Sequence, residues 1–97
     1  MGYTVLKFTA NWCMPCKMLS KEIEPLLDKY DFELVEIDVE KDVDTATQYM
    51  VTTVPTVIIL KDGIPVDRVN GYTRLSDFKR WLTKYVPRKT GRPRKKN

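Results

Sequence analysis

At 97 residues the chain has room for one domain around one hydrophobic core. Apolar side chains make up 42% and charged ones 31%, ordinary for a globular fold, and no apolar run approaches the roughly 20 residues of a membrane-spanning helix. The net charge of +4 describes the tail rather than the body: residues 88–97 hold six of the 17 basic side chains and no acid, leaving the remainder with 11 basic groups against 13 acidic ones.

The opening Met1-Gly2-Tyr3-Thr4-Val5-Leu6-Lys7 has neither a cationic flank nor a long apolar core, so a cytoplasmic protein without a leader is expected. Val5-Leu6-Lys7-Phe8 reads as a strand with two buried faces, interrupted by one charge. Residues 11–15 form a loop that closes into a helix running from near Cys13 to Tyr30. Met18, Leu19, Ile23, Leu26 and Leu27 give that helix an apolar stripe. Pro25 removes one of its hydrogen bonds and predicts a kink.

Residues 33–38 alternate acids with Leu34, Val35 and Ile37, the pattern of a strand ending near Val39. Residues 44–50 suit a short helix capped by Asp42 or Asp44. Val57-Ile58-Ile59-Leu60 is β-branched and apolar, which marks a central strand. Asp62-Gly63 signals a hairpin into Val66-Asp67-Arg68-Val69, and Gly71 breaks that strand. Leu75, Phe78, Trp81, Leu82 and Tyr85 line a last helix, capped by Thr73 or Ser76 and ended by Pro87.

The order β-α-β-α-β-β-α predicts an α/β domain over residues 1–86. Two βαβ-type crossovers and a hairpin build a four-stranded mixed sheet with three flanking helices. Residues 87–97 carry too few apolar groups to pack and read as a disordered basic tail.

The only two cysteines are Cys13 and Cys16, and there is no histidine. A single close pair in a reducing compartment points to redox chemistry or metal rather than a structural staple. Zinc would need two further ligands that the chain does not offer as Cys or His, so no metal is expected. A thiol attacks only as thiolate, and a cysteine opening a helix is biased toward that form by unpaired amide donors and the helix dipole. Cys13-Met14-Pro15-Cys16 follows a strand and opens a helix. Pro15 is tolerated in the first turn, and a spacing of three brings Cys16 within disulfide reach of Cys13. Cys13 is then expected to attack a substrate disulfide and Cys16 to resolve the mixed disulfide.

Phe8-Thr9-Ala10-Asn11-Trp12-Cys13-Met14-Pro15-Cys16-Lys17-Met18 resembles the active-site segment of the thioredoxin family. Val54-Pro55-Thr56 resembles that family's cis-proline loop, and Gly71 leads into its final amphipathic helix. The resemblance covers roughly residues 5–86, without the family's first strand and first helix. It implies a minimal thioredoxin fold and a protein-disulfide oxidoreductase that needs no bound cofactor. A flavin-containing, thioredoxin-reductase-like donor would recharge it; a monomer is the default expectation for the chain, not one the resemblance supplies. It further implies that Trp12, Met14 and Pro15 shape the surface beside Cys13, that Pro55 is cis, and that Val54 pairs with an extended substrate segment.

The chain departs from the family at three places. Met14 stands where glycine is usual, the helix proline comes one turn late, and Lys7 occupies the position of a buried acid. Lys7 either pairs with Glu36 as a charge-swapped version of the family's proton-handling pair, tuning the thiol pKa values, or snorkels to solvent at the sheet edge.

Alternative readings are a glutaredoxin-like protein recharged by glutathione, a ribonucleotide-reductase electron donor, and a nucleic-acid-tethered redox module. The last rests on Thr90-Gly91-Arg92-Pro93-Arg94-Lys95-Lys96, which partly resembles an AT-hook and would give weak nucleic-acid contact. Trp12 and the placement of Pro15 favour the thioredoxin type, and no Gly-Gly glutathione site follows the third strand.

Overall fold

Four consecutive side chains of β1 (Tyr3–Thr9), from Val5 to Phe8, are buried, which only a strand covered on both faces can achieve. The computed structural model, which describes residues 2–89, places β1 inside the sheet order β2-β1-β3-β4. Here β2 is Glu33–Asp38, β3 is Thr56–Lys61 and β4 is Ile64–Asn70. β2 runs parallel to β1 with Lys7 opposite Glu36, and β3 runs antiparallel with Lys7 opposite Val57.

The expected four-stranded mixed sheet and three helices are therefore present, with one change in the connections. The segment through α2 (Val43–Gln48) delivers β3 antiparallel to β1, so only the first connection is a parallel βαβ crossover.

Side-chain alternation divides the core into two layers. On one face, Val5, Val57 and Ile59 pack with Leu19 and Ile23 of α1 (Met14–Ile23) and with Phe78 and Leu82 of α3 (Leu75–Leu82). On the other, Leu6, Phe8, Ile37, Ile58 and Leu60 pack under Ala46 of α2, with the Tyr49 ring 5.9 Å from that of Phe8. Asp62 (φ 50°) and Gly63 (φ 84°) close the β3–β4 hairpin with two left-handed residues, as a two-residue type I′ turn requires.

Several helix details differ from expectation. The helix opened at Cys13 stops at Ile23, and residues Glu24–Asp28 continue as a tighter 3₁₀ turn with Pro25 near its start, because the proline cannot donate to the preceding turn. Met18 lies on the solvent side, 49% exposed, outside the buried stripe of Leu19, Ile23 and Leu26. α2 is capped by Asp42, which accepts from Thr45 N–H at 3.1 Å. Neither Thr73 nor Ser76 caps α3; its N-cap position is Arg74, whose side chain makes no capping bond. Leu75 sits exposed at the start of α3, and the helix ends at Leu82, five residues before Pro87.

α3 is fastened to the sheet by Asp67 of β4. Its carboxylate accepts from the Tyr85 hydroxyl at 2.7 Å and from Trp81 Nε1 at 2.9 Å. The Tyr85 bond chiefly holds the carboxyl below its ordinary value, with Trp81 adding to it, and raises the Tyr85 hydroxyl in return.

Beyond Val86 the chain stays against the body. Asp31 N–H donates to Pro87 O at 2.9 Å, Lys89 N–H to Lys29 O at 3.0 Å, and Arg88 pairs with Tyr30. Met1 and residues 90–97, with the AT-hook-like segment, lie outside the described residues.

Candidate active site

The chain leaves β1 at Thr9 and turns into α1 within four residues, placing Cys13 at the helix N-cap. Its N–H donates to Ala10 O at 3.1 Å, and its Sγ accepts from Cys16 N–H at 3.2 Å. Pro15 lies in the first turn, where its missing donor has no partner to lose, and no acid there offsets the positive end of the helix. Cys13 and Cys16 are joined by a disulfide with their Cα atoms 5.3 Å apart. Both are buried with Ala10 in a small cluster, against which Val39 and Val54 pack.

Trp12 and Met14 stand 66% and 64% exposed beside this buried pair, an apolar collar open to solvent. Trp12 Nε1 donates to Glu40 Oε2 at 2.9 Å. The Val54–Pro55 peptide bond is cis, with Pro55 buried and its carbonyl accepting from Gly71 N–H at 2.7 Å. A shallow groove of about 150 Å³ runs between Trp12, Val39, Val51, Thr52, Thr53 and Val54. The structure thus brings Trp12, Cys13, Cys16 and Val54 to one place.

On the α1 side of the sheet, Lys7 is 1% exposed rather than snorkelling to the edge. Its Nζ donates to Ser20 Oγ at 2.5 Å and lies 3.3 Å from Glu36 Oε2, and Ser20 Oγ itself donates to Glu36 at 3.1 Å. Ser20 is four residues after Cys16, one turn along α1 on the same side of the helix. The Glu36 side chain is 49% exposed, so this three-membered network runs from a fully covered cation to solvent.

Sequence reasoning missed Ser20 and Glu40. Ser20 was legible as the polar residue one turn beyond Cys16 in an otherwise apolar stripe, whereas nothing singled Glu40 out among its neighbouring acids. Among the described residues no cluster of His, Cys, Asp or Glu could hold a metal ion, and no helix is long and apolar enough to cross a membrane.

A disulfide-bonded cysteine pair at a strand-to-helix junction, packed against a cis-proline loop, is the working part of a thiol–disulfide oxidoreductase. The family model described as Thioredoxin matches residues 2–84. A thioredoxin of Staphylococcus epidermidis is 37% identical over 87 residues, which cover 88% of this chain and 84% of that protein. A Staphylococcus aureus thioredoxin is 36% identical over the same shares.

Among solved structures, a mutant thioredoxin from Halobacterium salinarum superposes with a TM-score of 0.81 at 32% identity, over 86% of this chain and 74% of that one. Reduced Schistosoma mansoni thioredoxin pre-protein gives 0.80 at 33% identity, over 87% and 79%. The chain belongs to the thioredoxin family, and it is a thiol–disulfide oxidoreductase with Cys13 and Cys16 as its redox pair.

Proposed function

We propose that the chain reduces protein disulfides in the cytoplasm, as a monomer recharged by a flavin-containing reductase, with Cys13 attacking and Cys16 resolving. The observation that carries the assignment of roles is the 3.2 Å bond from Cys16 N–H to Cys13 Sγ at the N-cap of α1. An amide donor and a positive helix end aimed at one sulfur favour its thiolate over its thiol.

In the reduced protein, the Cys13 thiolate attacks one sulfur of a substrate disulfide. The S–S bond breaks, one substrate thiolate leaves, and a mixed disulfide forms. The Cys16 thiolate then attacks Cys13 Sγ and releases the second substrate thiolate. Two electrons have passed to the substrate, and Cys13–Cys16 is oxidised.

Trp12, Met14 and Pro15 form the exposed rim that meets the substrate. The backbone of Val54, held by the cis bond to Pro55, pairs with an extended substrate segment along the 150 Å³ groove. Lys7, with Glu36 and Ser20, places a covered positive charge under α1 one helical turn from Cys16, favouring the resolving thiolate.

Replacing Cys16 by Ser is expected to trap a mixed disulfide between Cys13 and insulin, visible by mass spectrometry. The Cys13→Ser variant is expected to trap none. A trap formed by Cys13→Ser instead would reverse the roles. Equilibration of the dithiol against a dithiothreitol series is expected to give a potential near −270 mV, the range of a cytoplasmic reductant. A value near −200 mV or above would reassign the chain to the glutaredoxin-like reading.

A further inference from the structure

β1 and β2 run parallel, so Asp38 ends β2 on the same side of the sheet where Cys13, Glu40, Asp42 and Asp44 follow the C-terminal ends of the two strands. At the opposite end, residues 87–89 pack against Lys29, Tyr30 and Asp31, which lead into the start of β2. β1 alone, at about 3.3 Å per residue, separates the two ends by roughly 20 Å.

A groove of about 500 Å³ runs along α3 from Ser76 to the C-terminal segment, and its Arg88 end lies at that far end. Lys79, Arg80 and Arg88 line it together with Ser76 and Thr83, and no acid is among its lining residues. The Tyr30 ring supports Arg88, whose guanidinium lies 5.7 Å from the ring centre. Only Arg80 has an ionic partner there, Asp77 at 3.7 Å; Lys79 and Arg88 have none among the described residues. In the sequence, Arg88 is followed by Lys89, Arg92, Arg94, Lys95 and Lys96.

We propose that this groove is a docking surface for the phosphate backbone of duplex DNA, seated so that the dithiol end faces away from the nucleic acid. Clustered lysine and arginine cations are the groups that contact phosphates in a sequence-independent way. Residues 88–97 contain no large apolar side chain, so they lack the anchors on which protein partners depend. The acidic opposite end repels a polyanion and fixes the orientation of the encounter. The docked protein therefore leaves the exposed Trp12 and Met14 rim around the dithiol uncovered and concentrates disulfide exchange near DNA-bound substrates.

The test is fluorescence anisotropy of a labelled duplex of random sequence titrated with the full chain. With about four phosphate contacts, affinity is expected to fall on the order of a hundredfold between 50 and 200 mM salt. The double variant Lys79→Gln/Arg88→Gln is expected to bind about tenfold more weakly at 50 mM, with a salt slope shallower by about two. A control pair, Lys21→Gln/Lys61→Gln, removes equal charge from exposed positions outside the groove and the dithiol site and is expected to bind within about twofold of the parent.

Ser76→Glu puts a negative charge into the same groove in the first turn of α3, where it favours the helix, and is expected to weaken binding likewise. Reduction of insulin should be unchanged in all three variants. Equal losses in groove and control variants would reduce the effect to overall charge and overturn the proposal. So would vesicles containing phosphatidylserine that bind as tightly as the duplex and lose affinity with the same two residues.

Discussion

Lys7 and Glu36 are register partners on adjacent parallel strands, and their charges meet at 3.3 Å although one side chain is 1% exposed and the other 49%. The pair is therefore lopsided: one ion has been taken fully out of water and the other has not. Removing the acid leaves a covered ammonium with Ser20 as its remaining acceptor, whereas removing the lysine leaves a carboxylate that water can solvate. Glu36→Ala is expected to cost about 3 kcal/mol and Lys7→Met less than about 1 kcal/mol, measured by urea unfolding of the oxidised protein. Equal costs, or the reverse order, would show that Lys7 does not depend on Glu36. Lys7→Met should nonetheless slow resolution of the mixed disulfide, which unfolding does not report.

The Trp12 indole is exposed, yet it is oriented by a bond of 2.9 Å to Glu40. Orientation of an exposed ring contributes little to folding and more to the shape of the surface a substrate meets. Glu40→Ala is expected to lower kcat/KM for insulin reduction by about fivefold, the equivalent of one hydrogen bond of about 1 kcal/mol. Its unfolding free energy should stay within about 0.5 kcal/mol of the parent. An unchanged kcat/KM would mean that the ring finds its place without Glu40.

Much of the fold was legible because burial and periodicity agree in this chain. Val57-Ile58-Ile59-Leu60 had to be interior, and Asp62-Gly63 could form only one kind of turn. The dithiol was legible because chemistry restricts what a close cysteine pair opening a helix can do. Errors arose where local signals compete. Pro25 was read as a kink because its missing N–H breaks one bond, but the chain relaxes into a 3₁₀ turn instead. Met18 satisfies helical spacing equally well on a shoulder of the stripe, and only the neighbouring sheet decides that Leu19 and Ile23 take the interior. Whether Lys7 turned inward or outward depended on a partner 29 residues away, so its own strand did not determine the answer.

That distinction between spacing and burial gives a direct comparison. Leu82 is 0% exposed and packs between α3 and the sheet, while Met18 is 49% exposed on α1. Leu82→Ala removes a side chain whose space the surrounding core cannot fully reclaim and is expected to cost about 3 kcal/mol. Met18→Ala should change stability by less than about 0.5 kcal/mol, because alanine is at least as good a helix former and little contact is lost. Denaturant midpoints of the two variants measure the contrast directly. A Met18→Ala cost approaching that of Leu82→Ala would return Met18 to the core.

Asp67 gives the fold a specific acid sensitivity. The Tyr85 hydroxyl, followed by Trp81, holds its carboxyl below the ordinary value near 3.8, so the folded state binds a proton there less readily than the unfolded chain does. For a group lowered in this way, the stabilisation is fully present above the unfolded value and disappears as pH falls through the folded one. Asp67→Asn keeps an oxygen acceptor but loses its charge, and at pH 7 it is expected to cost about 1 kcal/mol. In a domain of this size that is a drop in Tm of about 4–8 °C. The gap between parent and variant should then narrow as pH is taken below about 3.8, because the parent carboxylate becomes protonated and loses the same advantage. Thermal melts at pH 7, 5, 4 and 3 follow this convergence. A gap that stayed constant over the series would mean that Asp67 fastens α3 by shape alone, with no contribution from its charge.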